Sequence, residues 1–151
     1  MRKRVSAALA LALAACLIAA LLPLGAAAQV LPAPVTALHA TLTGAQEVPP
    51  GDPDGRGSAV LILVPSQGRL CYVLQVEGIA PATAAHVHVG PPGTAGPVVV
   101  PLAPPTRGVS GGCVAASEDL LNAIAANPGN YYVNVHNAEF PGGALRGQLS
   151  A

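Results

Sequence analysis

The sequence predicts an all-β domain, an antiparallel sandwich or barrel carrying one short helix. Three observations lead there. From residue 37 onward the chain falls into short apolar runs separated by Gly- and Pro-rich connections. Several of those runs alternate with the period of two that a half-buried strand requires. The last two runs flank a Pro-Gly-Gly segment, the punctuation of a hairpin.

The elements follow in order. In "ALHATLTG" at 37–44, Leu38, Ala40 and Leu42 share one face and His39, Thr41 and Thr43 the other. "VPPGDPDGRG" at 48–57 has too much Pro and Gly for a strand or a helix and reads as a loop. "SAVLILV" at 58–64 and "LCYVLQVEG" at 70–78 read as strands joined by a "PSQG" turn. Both are apolar on both faces at their centres, which places them inside the sandwich rather than at its edge. "AAHVHVG" at 84–90 is the next strand, followed by a "PPGTAG" loop, "PVVVPL" at 97–102, and a Pro/Gly-rich connection to "GGCVAAS". Ser117 is the N-cap of the one helix. Glu118 and Asp119 suit its positive end, and Pro128-Gly129 stops it. Leu120, Leu121 and Ile124 give that helix an apolar side for packing on the sandwich. "YYVNVHN" at 131–137 and "ALRGQLS" at 144–150 form the closing hairpin.

The N-terminus carries an address. Arg2, Lys3 and Arg4 precede an apolar run from Val5 to Leu24, and Ala26-Ala27-Ala28 supplies small residues before Gln29. This is the pattern of a secretory signal over residues 1–28, followed by a disordered lead-in at 29–36 and a domain at 37–151. The protein is therefore expected to be secreted, periplasmic or held in the cell envelope, with no stable membrane span once the signal is cleaved. An uncleaved anchor and a lipid on Cys16 are the alternatives. The still-apolar "LIAALLPLG" after Cys16 argues against the lipoprotein. Without the signal, Arg56, Arg69, Arg107 and Arg146 face seven acidic residues, a net charge of −3 from four minus seven. Four scattered arginines make no footprint for nucleic acid or for an anionic membrane. Cys71 and Cys113 then remain as a pair, which in an exported protein reads as one disulfide staple.

The chemistry concentrates in histidine. His86 and His88, two apart on one strand, point to the same side, and His136 shares a face with Tyr132 and Asn134 on a later strand. If the two strands are neighbours, three imidazoles converge, which is a ligand set for zinc or copper with a fourth position open. The competing reading makes them polar residues of the outer face, hydrogen-bonded to Asn134, Asn137 or Glu139. His39 reads as a surface residue. Glu47, Asp52 and Asp54 lie in a loop without EF-hand spacing and read as solvated carboxylates rather than a calcium site. Ser110 and Ser117 have no G-x-S-x-G setting, so no hydrolase nucleophile is indicated.

"ATLTGAQEVPP", "AHVHVGPPGTAGPVVVPL" and "NPGNYYVNVHNAEFPGGALRGQL" together resemble the CHRD domain, a module named for chordin and found also in exported bacterial proteins. The resemblance implies an immunoglobulin-like sandwich or barrel with a distant likeness to copper/zinc superoxide dismutases, and no firm activity. The dismutase metal pair uses six histidines and an aspartate; with four histidines this chain is unable to build a bridged pair, though a mononuclear site remains open. The favoured reading is a non-enzymatic binding or structural module without a required cofactor, its partner an unidentified protein or glycan. The alternative is a mononuclear copper or zinc protein, redox-active in one version, using His86, His88 and His136. Phe140, the single Phe, sits in the last turn and is read either as a partner anchor or, by preference, as cover for the core.

Overall fold

Alternation of apolar side chains builds the architecture seen in the computed structural model, which describes residues 34–151. The signal-like segment lies outside the described residues, as does most of the lead-in, whose last residue, Thr36, already belongs to a strand. Eight strands form in chain order: β1 (Thr36–Thr43), β2 (Arg56–Val64), β3 (Arg69–Glu77), β4 (Ala82–Val89), β5 (Val98–Leu102), β6 (Val109–Ala115), β7 (Tyr131–Asn137) and β8 (Leu145–Gln148). The single α-helix, α1 (Glu118–Ala126), lies between β6 and β7.

The strands make one antiparallel sheet in the order β5-β4-β7-β8-β1-β2-β3-β6. Its middle is thin. β8 meets β1 through the pair Thr43 and Arg146, with His39 and Ser150 bridging beyond it. Two four-stranded halves therefore fold toward each other and nearly close. Leu38, Leu61, Leu74, Val87, Val133 and Leu145 join a single core cluster from both halves. Each such Leu contributes about 1.5–3 kcal/mol by leaving water.

Helix α1 forms where its cap dictates. The Ser117 hydroxyl accepts from Leu120 N–H at 3.3 Å, and Leu121 and Ile124 are buried in the core. Among the described residues no helix is long and apolar enough to cross a membrane.

β2 and β3 lie inside the sheet order, as their apolar centres predict, and are covered on one face. Val60 and Val73, directly opposed on the outer side, are 46% and 48% exposed. Their outer row follows the strand period into solvent because no described element packs over it. The strand covered on both faces is β7, in which every residue but His136 is buried. Its inner face is apolar and its outer face polar.

Cys71 and Cys113 are disulfide-bonded across directly paired positions of β3 and the edge strand β6, 42 residues apart in sequence. Replacing both by Ala is expected to lower the unfolding free energy by about 2–4 kcal/mol through the chain entropy the loop withholds. Urea denaturation of the two proteins at equal concentration measures it.

Candidate metal centre

The pairing of β4 with β7 brings the histidines together. His86 lies opposite Asn134, His88 opposite Tyr132, and Ala84 opposite His136. Period-two alternation then sends His86, His88, Tyr132, Asn134 and His136 to the same outer face. One ring nitrogen from each histidine lies within 4.8 Å of those from the other two. His86 Nδ1 stands 3.2 Å from His136 Nε2. Two nitrogens bound tetrahedrally to one zinc ion are about 3.3–3.4 Å apart, given bonds of about 2.0–2.1 Å. The closest pair already has ligand spacing, and the nitrogen of His88 lies within 4.8 Å of both.

Backbone carbonyls fix the tautomers. Gly96 O lies 2.7 Å from His88 Nδ1, and Pro141 O lies 3.0 Å from His136 Nδ1. A carbonyl only accepts, so both Nδ1 atoms carry the proton and both neutral rings keep a lone pair on Nε2. This is the carbonyl support that orients metal-bound imidazoles. His88 is 8% exposed, and its Nε2 is buried without a hydrogen-bond partner. A buried polar atom left unpaired costs about 1–3 kcal/mol, so this nitrogen calls for a partner, an ion or a water. Burial lowers the pKa of His86, with further lowering from the His136 and His88 charges. Burial also lowers that of His136, partly offset by its bond to Pro141. Both shifts favour the neutral, metal-ready ring.

A buried arginine holds the cover over this face. Arg146, 1% exposed on β8, donates from Nη1 to Thr94 O and from Nη2 to Pro91 O, both at 2.9 Å. Its guanidinium lies 3.5 Å above the centre of the Tyr132 ring. Tyr132 in turn stacks on His88, with ring centres 4.8 Å apart and planes 11° from parallel. The Tyr132 hydroxyl accepts from Gly96 N–H at 3.0 Å, and Gln148 Nε2 donates to Gly90 O at 2.7 Å. The loop at 90–97 is thus pinned across β4, β7 and β8 by polar side chains. Gly96 is required there: a Cβ would stand 1.7 Å from Val89 O.

Several expectations are settled by this geometry. Of the named hydrogen-bond partners, Asn134 does meet a histidine, at 3.1 Å from His136 Nε2. Asn137 instead uses its Oδ1 to accept from Glu139 and Phe140 N–H, shaping the last turn, and Glu139 is exposed. The loop carboxylates are corrected as well. Glu47 and Asp52 are 6% and 7% exposed rather than solvated. Asp52 Oδ1 is consumed by the N–H groups of Asp54 and Gly55, both at 3.0 Å, which closes the turn. Glu47 faces the Arg146 side of the site. Burial raises its pKa, offset in part by the Arg146 charge and by a hydrogen bond from Asn134. His39 stands apart on β1, exposed, its Nε2 3.1 Å from Ser150 Oγ. Phe140 is half-buried and packs against the core cluster. A broad surface depression of about 640 Å³ lies on the other half, lined in part by Arg56, Gln75, Glu77 and Arg107; none of the buried unpaired atoms opens into its lining.

Comparison with known proteins places the chain in one family. The CHRD domain family matches residues 38–149, nearly the whole described fold. No curated protein and no solved structure matches it.

Arg146→Lys is expected to destabilise the fold by about 2–4 kcal/mol. A lysine lacks the planar fork that serves two carbonyls and stacks on Tyr132. Amide exchange at Thr94 and Gly96 should accelerate in the variant while exchange in β2 and β3 changes only with global stability.

Proposed function

This chain belongs to the CHRD domain family, and we propose that it is an exported β-sandwich module that binds one divalent transition metal, copper or zinc, through His86, His88 and His136. The observation that carries this reading is the buried, unpaired Nε2 of His88 beside two further imidazoles at ligand spacing. Three neutral imidazoles suit either ion, and with a fourth position free such a site binds or exchanges a ligand. The disulfide between Cys71 and Cys113, the signal-like first 28 residues and the family all support export.

The residues present also say what the module would do for the ion. His88 and His136 are oriented by carbonyls, Tyr132 and the 90–97 loop shield one side from water, and no charge of the ligand set opposes a cation. The bound ion supplies Lewis acidity, and in the case of copper an electron-transfer centre.

Copper(II) or zinc titrated into the metal-free, disulfide-intact protein should bind at one ion per chain. At a hundredfold excess over the dissociation constant, binding should add about 2.7 kcal/mol of stability. That corresponds to a rise in melting temperature of roughly 10 °C for a domain of this size. A His86→Ala/His88→Ala variant should lose both. No uptake, with wild type and variant melting alike in either metal, would return the histidines to ordinary hydrogen-bonded strand residues.

A further inference from the structure

Asn134 presents an electrostatic conflict that the three histidines alone leave unresolved. Its Oδ1 lies 3.1 Å from His136 Nε2. That nitrogen carries a lone pair, because the ring proton is on Nδ1 facing Pro141 O at 3.0 Å. His86 Nδ1, 3.2 Å away, supplies at most one proton to that lone pair and none between the nitrogen and the amide oxygen. With the amide in this orientation two acceptors therefore face each other at a part-buried position, relieved only in part by the hydrogen bond between His86 and Asn134.

The ordinary escape carries a cost. Turning the amide end for end would place Nδ2 against His136 but would point Oδ1 at the Glu47 carboxyl, whose pKa the Asn134 side chain lowers as a hydrogen-bond partner.

A cation between the two atoms removes the conflict. We propose that Asn134 Oδ1 is the fourth ligand of the metal site, completing a three-nitrogen, one-oxygen set, and that Glu47 is the positioning residue that aims it. This rests on the histidine reading above and deepens it. The 3.1 Å between His136 Nε2 and Asn134 Oδ1 is ligand spacing, close to the 3.2 Å between the two nitrogens. An amide oxygen is a weak, long-bonded ligand of the kind that copper sites accept in an axial position. The neighbouring groups agree. Gly143 makes the space that the Glu47 carboxyl occupies, since a Cβ there would meet Oε1 at 2.3 Å.

The test compares wild type, Asn134→Ala, the near-isosteric Asn134→Asp, Glu47→Gln and His88→Ala, each loaded with cobalt(II) for its ligand-field spectrum and with copper(II) for electron paramagnetic resonance. Melting curves confirm that each variant is folded. The proposal expects Asn134→Ala to bind one ion at least about tenfold more weakly and with an altered cobalt spectrum. Asn134→Asp should bind at least about tenfold more tightly, with copper hyperfine values shifted toward stronger oxygen donation. Glu47→Gln should keep one ion and weaken it about tenfold or more, as loss of an orienting partner does. Wild type and Asn134→Asp with the same affinity and the same spectra would overturn the fourth ligand while leaving the three histidines standing. If wild type itself takes up no metal, or if His88→Ala binds as well as wild type, the histidine reading fails and this one with it.

Discussion

A positive charge sealed inside the fold organises the outer face of half this molecule. Arg146 is 1% exposed, and the burial of an unpaired guanidinium would be prohibitive. Its position is tolerable only because two carbonyls of the 90–97 loop, the face of Tyr132 and the field of Glu47 surround it. Each of those partners is then held in turn. The loop that serves Arg146 also presents Gly96 O to His88, and the ring that Arg146 covers is the one on which His88 stacks. The tautomer of His88 and the dryness of its free nitrogen are consequences of how the charge is satisfied.

That arrangement explains why the two halves of the sheet differ so sharply outside a shared core. On β2 and β3 the outer row follows the pleat into water, so Val60 and Val73 stay half-exposed at negligible structural consequence. On β7 the outer row carries Tyr132, Asn134 and His136, and loops with polar reach cover it. Polar side chains in a covered layer are expensive unless paired, and nearly every one here is paired. The exceptions are His88 Nε2, Glu47 Oε1 and Asn137 Nδ2. The first is the free nitrogen of the histidine cluster, and the second belongs to the carboxyl that Asn134 faces. Unsatisfied groups gathered around a set of neutral imidazoles point to chemistry more strongly than the H-x-H spacing does alone.

Much of this was legible from the chain, for identifiable reasons. Period-two alternation assigned the faces of β4 and β7 correctly, since side-chain direction along a strand is local information. Ser117 announced its helix by the same locality, and the pair of cysteines beyond the signal-like segment pointed to the disulfide. The burial of Arg146, Glu47 and Asp52 was not legible. Arg146 meets loop residues more than fifty positions away, and "ALRGQLS" reads as an ordinary half-exposed strand until the 90–97 loop is seen lying across it. The apolar centres of β2 and β3 placed them correctly inside the sheet order, yet they did not say which face stays open, since coverage is decided by elements elsewhere in the chain. The one available hint was Arg146 itself, a charged residue flanked by Leu145 and Gly147 in the last hairpin.

X-ray absorption at the metal edge of the copper- or zinc-loaded protein reads the polar layer on β4 and β7 as a metal site or as none. Coordination by His86, His88 and His136 predicts a first shell at about 2.0–2.1 Å with the outer-shell scattering pattern of three imidazoles. A shell of oxygens alone, or scattering from fewer than two imidazoles, would contradict it and leave the histidines as part of the fastening for the 90–97 loop.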